Sequence, residues 1–358
     1  MRAEEAARAG ERFRAPAEWE PHEATWLAWP HERTDWPGKF EPIPWIYGEI
    51  VRRLSRVERV RILVQDSEAE ELARCVLRKC HAGMDAVDFF RVETDRGWTR
   101  DYCPMFVRNE RGESGVLNWC FNAWAKYGNW QRDDAVTVKL AERMRWPVWT
   151  PMWNNERVVL EGGSIDVNGA GSVLTTEECL LGTVQARNPG MGREEMEAVF
   201  ARYLGARNTI WLRNGIAGDD THGHVDDVAR FTDARTIVIA SERDQEDENY
   251  EPLAENLALL REAKDENGEP FRVEAIPMPE PVFFDGQRLP ASYANFYIAN
   301  ETVLVPVFNG PNDRVALNKI AALFPGRTVT GIAASDLVLG LGTLHCMTQQ
   351  EPRISCCR

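Results

Sequence analysis

The sequence predicts a single mixed α/β domain over residues 1–358, made of about five hairpin–helix–strand units repeated around a central axis. Three observations predict it. Short β-branched apolar runs such as VRILV (60–64) and TIVIAS (236–241) alternate with stretches of helical period. The order hairpin, helix, strand recurs along the chain, and no long Pro-, Gly- or Ser-rich linker divides it. Roughly equal units without linkers suggest radial repetition, which leaves few sheet edges exposed. The alternative architecture is an open, mixed α/β sheet.

Each element follows from its local pattern. The opening unit has ATWLAWP (24–30), a helix over roughly 43–56, the strand VRILVQ (60–65), a helix near 67–80 and VDFFRVE (87–93). MFVRN (105–109) and GVLNWCF (115–121) form a hairpin, followed by a helix-like DDAVTVKLAERMR (133–145) and PVWT (147–150). SIDVNGAGSVLTT (164–176) turns on Asn168-Gly169, ahead of the helix EEMEAVFARYL (194–204) and TIWLR (209–213). VARFTDARTIVIAS (228–241) leads into the helix NYEPLAENLALLREAK (249–264) and FRVEAIPM (271–278). SYANFYIANETVLVPVF (292–308) precedes VALNKIAALF (315–324) and TVTGIA (328–333).

Composition narrows the function. Lys+Arg 42 against Asp+Glu 56 gives a net charge of −14 with no basic block. That balance argues against nucleic acid and anionic membrane as partners and favours a cationic ligand, although an acidic surface also serves solubility alone. The stretch MRAEEAARAGERF lacks the apolar core of a signal peptide, and no apolar run approaches a membrane span. No GxGxxG follows a strand and no GxxxxGK[ST] occurs, so nucleotide binding has no support. The eight cysteines form no CxxC pair. They make neither a disulfide framework nor a zinc knuckle, and a reducing cytoplasm is their simplest home.

The stretch GDDTHGHVDD (218–227) invites a metal reading, since HGHVDD nearly matches the HxHxDH opening of metallo-β-lactamase-type hydrolases. Asp227 stands where a third histidine is needed, and only His345 follows His224. A dinuclear zinc site needs more imidazoles than that, so no metal is expected.

A covalent reading fits better. In GLGTLHCMTQQEP (340–352), glycines precede Cys346 and let the backbone approach a ligand closely. A cysteine beside a histidine is by itself weak, because most cysteines are small buried hydrophobes. However, WTRDYCP (98–104), LEGGSID (160–166) and HGHVDD each stand just ahead of an outer hairpin. In a radial arrangement such positions converge, which gathers Asp101, Glu161, His224, Asp226 and Cys346. Paired carboxylates grip the planar fork of a guanidinium and leave its central carbon facing a thiolate, which the cation helps keep ionised. A nucleophile with a base in reach completes the pattern.

At this point WTRDY, LEGGSID, VLTTEECLL, GHVDD, ASYANFYIAN and LHCMTQQ, with the opening APAEWEPHEATWLAWP (15–30), resemble the agmatine deiminase and bacterial peptidylarginine deiminase family. The resemblance spans essentially the whole chain. It implies the pentein fold, a five-bladed α/β propeller of the guanidino-group-modifying superfamily. It also implies hydrolysis of agmatine to N-carbamoylputrescine and ammonia, with no metal or organic cofactor and a homodimeric assembly.

Carried onto this sequence, the resemblance makes Cys346 the nucleophile and His224 the acid and base, with Asp101 and Asp226 clamping the guanidinium. Glu161 supports the histidine, Trp98 walls the pocket, and Asp220 meets the distal amine of the substrate. Four departures touch the pocket. Cys103 replaces the family's glycine, DRGW (95–98) its NDAW, His222-Gly223-His224 its DGH, and GLGT (340–343) its GGGN. The guanidino chemistry keeps its residues, whereas recognition of the tail is left open. Arg96 offers a partner for a substrate carboxylate, which admits free, acylated or peptidyl arginine. The plainer reading pairs Arg96 with Asp95 or another surface carboxylate.

The remaining candidates have bland readings. His222 belongs to the rim, Cys103 is a packed side chain, and Trp26, Trp29, Trp36 and Trp45 cover the core. A non-catalytic pentein that only binds or assembles predicts no ammonia from any guanidine. A papain-like peptidase places its cysteine before its histidine, the reverse of the order here.

Overall fold

The computed structural model describes residues 12–111 and 113–353, so the vicinal Cys356 and Cys357 lie outside the described residues. Among the described residues, five sheets of three or four strands carry the fold, with two small two-stranded ribbons beside them. Strand Ile165–Val167 runs antiparallel to Ser172–Thr176, which runs parallel to Asn208–Leu212. A parallel neighbour needs a crossover, and helices Glu177–Leu181 and Arg193–Val199 supply it. The same order recurs in Ala229–Asp233, Thr236–Ser241 and Arg272–Pro277, crossed by helix Tyr250–Glu262. It recurs again in Tyr297–Ile298, Thr302–Val307 and Thr328–Ala333, crossed by helix Asp313–Leu323. The repeated unit is therefore present as expected, in a mixed α/β fold.

The opening unit is completed by the far end of the chain. Strand His22–Ala28 lies parallel to Arg59–Val64, and its antiparallel neighbour is Gln349–Pro352, with Trp26 opposite Gln349. This closing strand begins three residues after Cys346, so the thiol sits where the two ends of the chain are stitched together. Phe13–Arg14 likewise adds to the edge of Met105–Asn109.

Two predicted helices differ in form. The one expected over 133–145 divides into Gln131–Asp134 and Val136–Met144. Its start is tied down by side-chain work, since Asp133 accepts the Asp95 backbone N–H at 2.7 Å and Asp134 accepts that of Phe121 at 2.9 Å. The one expected over 194–204 is regular only over Arg193–Val199; a wider turn, Phe200–Leu204, follows and stops at Gly205 with φ +71°. Trp26, Trp29 and Trp36 are core residues as predicted, but Trp45 is 47% exposed and carries Lys79 over its ring. Among the described residues no helix is long and apolar enough to cross a membrane.

Candidate active site

The segment leading to Cys346 is shaped by two glycines. A side-chain carbon on Gly340 would stand 2.7 Å from the rings of both Trp36 and Trp98, and one on Gly342 would stand 2.9 Å from Trp98. Only bare backbone passes here, and Leu341 between them takes a left-handed φ of +65°. The buried Asn295 then fixes the turn. Its Oδ1 accepts from the Thr343 hydroxyl at 2.7 Å and from the His345 backbone N–H at 2.9 Å. With the oxygen so engaged, Nδ2 is left to donate to Cys346 Sγ at 3.1 Å. Thr343 of the departing GLGT motif thus serves the turn through its hydroxyl.

The second loop is organised by Asp219. Its carboxylate accepts the backbone N–H groups of Thr221, Gly223 and His224 at 2.8, 2.7 and 3.0 Å, an aspartate-capped turn that delivers His224 to the interior. His222 takes φ +65° and is partly exposed, 3.7 Å from Glu178, and it does not line the cavity that opens above Cys346. A short turn, Val225–Asp227, follows and sinks Asp226 and Asp227 completely.

The predicted groups converge on Gly163 of LEGGSID. A side-chain carbon there would lie 2.5 Å from His224 Nδ1, 2.9 Å from Asp101 Oδ1 and 3.1 Å from Asp226 Oδ2. Asp101 accepts the Gly163 backbone N–H at 3.0 Å and the Trp124 indole N–H at 2.9 Å, and its Oδ1 lies 3.9 Å from His224 Nδ1. Glu161 sits 3.5 Å from His224 Nε2. Cys346 Sγ lies 3.8 Å from Asp226 Oδ2. Asp226 Oδ1 is buried without a hydrogen-bond partner among the described residues.

Charge at this floor is uneven. Burial, then Asp226, Asp227 and Asp101, push the Cys346 thiol well above its usual range. Burial raises Asp101 to about 6, with His224 opposing it. Burial alone would lower His224, but Asp101, the Cys179 thiol and Glu161 outweigh it and raise the imidazole well above the ordinary histidine value. Burial likewise disfavours ionised Glu161, yet the Arg187 guanidinium, with His224, holds it at about 2. Arg187 Nε reaches both Glu161 oxygens at 3.0 and 3.3 Å, and its Nη2 donates to the Thr221 carbonyl at 2.5 Å.

Above the floor opens a cavity of about 530 Å³ lined by Cys346, Asp101, Trp98, Trp124, Arg96 and Asp220, among others. Trp98 is a wall as expected, backed by Trp36 with ring centroids 5.4 Å apart. Asp220 is already engaged, by an ion pair to Lys126 and by the Tyr127 hydroxyl at 2.7 Å. Arg96 faces the cavity instead of the outer surface. Its partner is the buried Asp35, it lies 4.4 Å from the Tyr127 ring centroid, and Asp95 takes no part, accepting the Arg132 backbone N–H instead. Asp35 is raised by burial to about 7, with Arg96 pulling the other way. Cys103 is a packed thiol that burial and Asp133 raise well above its usual value.

Two groups among the described residues have ligand atoms within 4.8 Å of one another, Glu161–Cys179–His224 and Asp226–Asp227–Cys346. In the first, the Arg187 guanidinium already supplies a positive charge across both Glu161 oxygens. All five residues expected at the chemical centre are gathered, and Trp98, Arg96 and Asp220 line the same cavity. Asn295, Trp124 and Arg187 were not singled out from the sequence. Asn295 lay within the ASYANFYIAN stretch, and only its neighbourhood signalled it.

Carboxylates around a buried thiol repel anions and welcome a planar cation, and the imidazole within reach can move protons. Fold and floor together define a cysteine-dependent enzyme class for cationic substrates. The chain belongs to the Porphyromonas-type peptidyl-arginine deiminase family, whose model matches residues 14–352. It is similar to the agmatine deiminase of Pseudomonas aeruginosa, 34% identical with 95% of each chain covered. Among solved structures it resembles the agmatine deiminase of Enterococcus faecalis, 31% identical with a TM-score of 0.86, covering 95% of this chain and 96% of that one. It also resembles a cysteine-to-serine variant of the C. jejuni agmatine deiminase with substrate bound, 29% identical with a TM-score of 0.86, covering 96% and 97%. The fold alone extends to an amidinotransferase from Microseira wollei, 11% identical with a TM-score of 0.52.

Proposed function

We propose that this protein hydrolyses a guanidino substrate, agmatine first among them, to the ureido product N-carbamoylputrescine and ammonia. The observation that carries the reading is the meeting of His224, Asp101 and Asp226 around Gly163, with Cys346 Sγ 3.8 Å from Asp226, beneath one cavity. Asp101 and Asp226 grip the guanidinium N–H groups. The bound cation reverses the field that kept Cys346 protonated, the thiol gives its proton to solvent, and Sγ attacks the central carbon as a thiolate. His224 protonates one amino group, the C–N bond breaks, and ammonia departs, leaving an S-alkylthiouronium on Cys346. His224 then takes a proton from water as the water oxygen adds to the same carbon. The C–S bond breaks, releasing the ureido product and the thiol. Glu161, fixed by Arg187, holds the imidazole in place. Trp98 covers the guanidinium or its alkyl stem, and Asp220 receives the distal ammonium.

A second reading has its own observation. Arg96 lies in the cavity wall, and its Nε finds no hydrogen-bond partner among the described residues. A substrate carboxylate could use it, which suits free, acylated or peptidyl arginine going to citrulline.

The same reading takes the whole chain as one catalytic domain and its five sheets as blades about an axis, the thiol and acids at the hub. Their shared strand order supports it. It places a homodimer in the cytoplasm, in keeping with the free thiols of all six described cysteines. Purified protein is mixed with agmatine, arginine and a blocked arginine peptide, and ammonia and ureido groups are measured. Release from agmatine is expected; silence with all three would end the proposal.

A further inference from the structure

His345 precedes Cys346, yet its ring lines a small second cavity of about 40 Å³ on the side of Glu18, Arg100 and Asp166. The ring is held at both ends. Nδ1 lies 2.7 Å from Asp226 Oδ2, and Nε2 lies 2.8 Å from Glu18 Oε2. Glu18 is itself immobile, paired with Arg230 at 3.0 Å and Arg100 at 3.1 Å and accepting the Ile298 backbone N–H at 2.7 Å. The backbone is fixed as well: the His345 N–H donates to Asn295 Oδ1 at 2.9 Å, and Arg100 Nε donates to its carbonyl at 3.3 Å. The imidazole therefore stands on a rigid base and reaches only one oxygen of Asp226.

That choice of oxygen matters for substrate binding. A carboxylate rotates readily about its terminal torsion, and a freely turning one would present either oxygen to a ligand. Here Oδ2 is held by the ring at 2.7 Å and also faces Cys346 Sγ at 3.8 Å, whereas Oδ1 is the atom without a partner among the described residues. Aimed charge-assisted hydrogen bonds both bind and orient a planar guanidinium. We propose that His345 is a positioning residue, whose Nδ1–H pins Asp226 through Oδ2 and leaves Oδ1 to accept the substrate's guanidinium N–H. The role rests on the guanidine-deiminase reading, because it is the guanidinium that Oδ1 awaits.

The alternative is that His345 serves only to tie Glu18 into the fold, and two substitutions separate the roles. In His345→Asn the amide nitrogen falls near the place of Nδ1 and can still serve Asp226. In His345→Gln it falls near the place of Nε2 and serves Glu18 instead. With agmatine, His345→Gln is expected to lose about 10- to 100-fold in kcat/KM, the range for one hydrogen bond to a charged group, while His345→Asn stays within about threefold. Inactivation by a haloacetamidine, which carries the cation, should follow the same order. Alkylation by neutral iodoacetamide should not distinguish the two. Equal losses, or a glutamine variant better than the asparagine one, would overturn the proposal. If neither variant folds, nitrogen NMR of histidine-labelled wild-type protein decides. His345 Nδ1 should carry a hydrogen whose resonance moves when guanidinium ion is added, and a bare Nδ1 overturns the role. Wild-type protein that released no ammonia from any guanidine would instead remove the deiminase reading, and the NMR result would still report the ring.

Discussion

Cys346 Sγ lies 3.8 Å from Asp226 Oδ2, the oxygen that His345 Nδ1 also reaches at 2.7 Å, while Asn295 offers the sulfur itself a neutral amide at 3.1 Å. A thiol so placed keeps its proton in the free enzyme, since burial and Asp226, Asp227 and Asp101 all raise it. The substrate's own charge is what can reverse this, so binding and activation of the nucleophile are one event.

This coupling predicts how the thiol reacts with two probes. Iodoacetamide is neutral, so its rate with Cys346 should be low at neutral pH and climb only at a pH more alkaline than an ordinary cysteine thiol needs. A haloacetamidine brings a cation to the same sulfur and should react near neutral pH, at least about tenfold faster than iodoacetamide when each is scaled to a free thiol. Mass spectrometry of Cys346 across pH measures both. Identical pH profiles for the two reagents would show that no bound cation is needed.

Cys346→Ser should abolish turnover, by on the order of a thousandfold or more, with the fold intact by circular dichroism. A hydroxyl is far less acidic than a thiol and its conjugate cannot form under the same field. Chelators should leave the wild-type rate unchanged. Loss of activity with a chelator and recovery with zinc would turn residues 218–227 into a metal site after all.

The acid side of the pH–rate profile should come from Asp101. It must be ionised to bind a guanidinium, and burial has raised it to about 6. The profile of kcat/KM reports the free enzyme, so it should fall as pH drops through about 6. Asp101→Asn should remove that limb together with most of the activity, since the amide cannot grip the cation with charge. A limb that survives in Asp101→Asn would assign it to another group.

The chemical centre was legible because each of its residues sits in a short polar motif beside a glycine or at a strand entrance. Position in a repeated unit then placed Asp101, Glu161, His224, Asp226 and Cys346 together. The groups that hold them were not legible. Arg187 lies in VQARNP (184–189), a loop without periodicity, and its tie to Glu161 spans 26 residues. Trp124 reaches Asp101 from Ala123–Ala125, where three non-glycine residues in succession take positive φ, a conformation no propensity predicts. The closing strand Gln349–Pro352 reads as a polar tail and becomes a strand only because His22–Ala28 offers it an edge. Arg96 was readable as a contact for a substrate carboxylate or as the partner of Asp95 or another surface carboxylate, and only the fold supplies the buried Asp35.

Arg187→Met tests the buried support of His224. It leaves the Glu161 carboxylate without its cation in a site with no solvent to replace it. Breaking one side of a buried pair costs about 3–5 kcal/mol, so a clear drop in Tm is expected. The pH dependence gives the sign. Glu161 is lowered in the folded protein to about 2 from an ordinary value of 4.5, so its stabilisation is complete above 4.5 and is lost as pH falls toward 2. Wild-type protein should lose stability across that window. Arg187→Met should lose less there, having less to lose, and its kcat should fall as His224 is freed to move.

The tail end of the cavity offers the last test, because Asp220 is not idle. Lys126 pairs with it and Tyr127 donates to it, so a substrate ammonium must compete with a resident one. Lys126 is partly exposed and pays little to swing into solvent, which makes the exchange feasible. Asp220→Asn should raise KM for agmatine about tenfold with kcat nearly unchanged, the signature of binding lost equally in ground and transition states. Lys126→Met removes the competitor and should lower KM for agmatine by a few-fold, by about 0.5–1 kcal/mol. For arginine the signs differ. Its carboxylate gains from a nearby Lys126, so Lys126→Met should weaken arginine where it strengthens agmatine. Steady-state kinetics with both substrates on the two variants read this directly. If Lys126→Met moved both substrates in the same direction, the tail would be recognised elsewhere than at the Asp220–Lys126 pair.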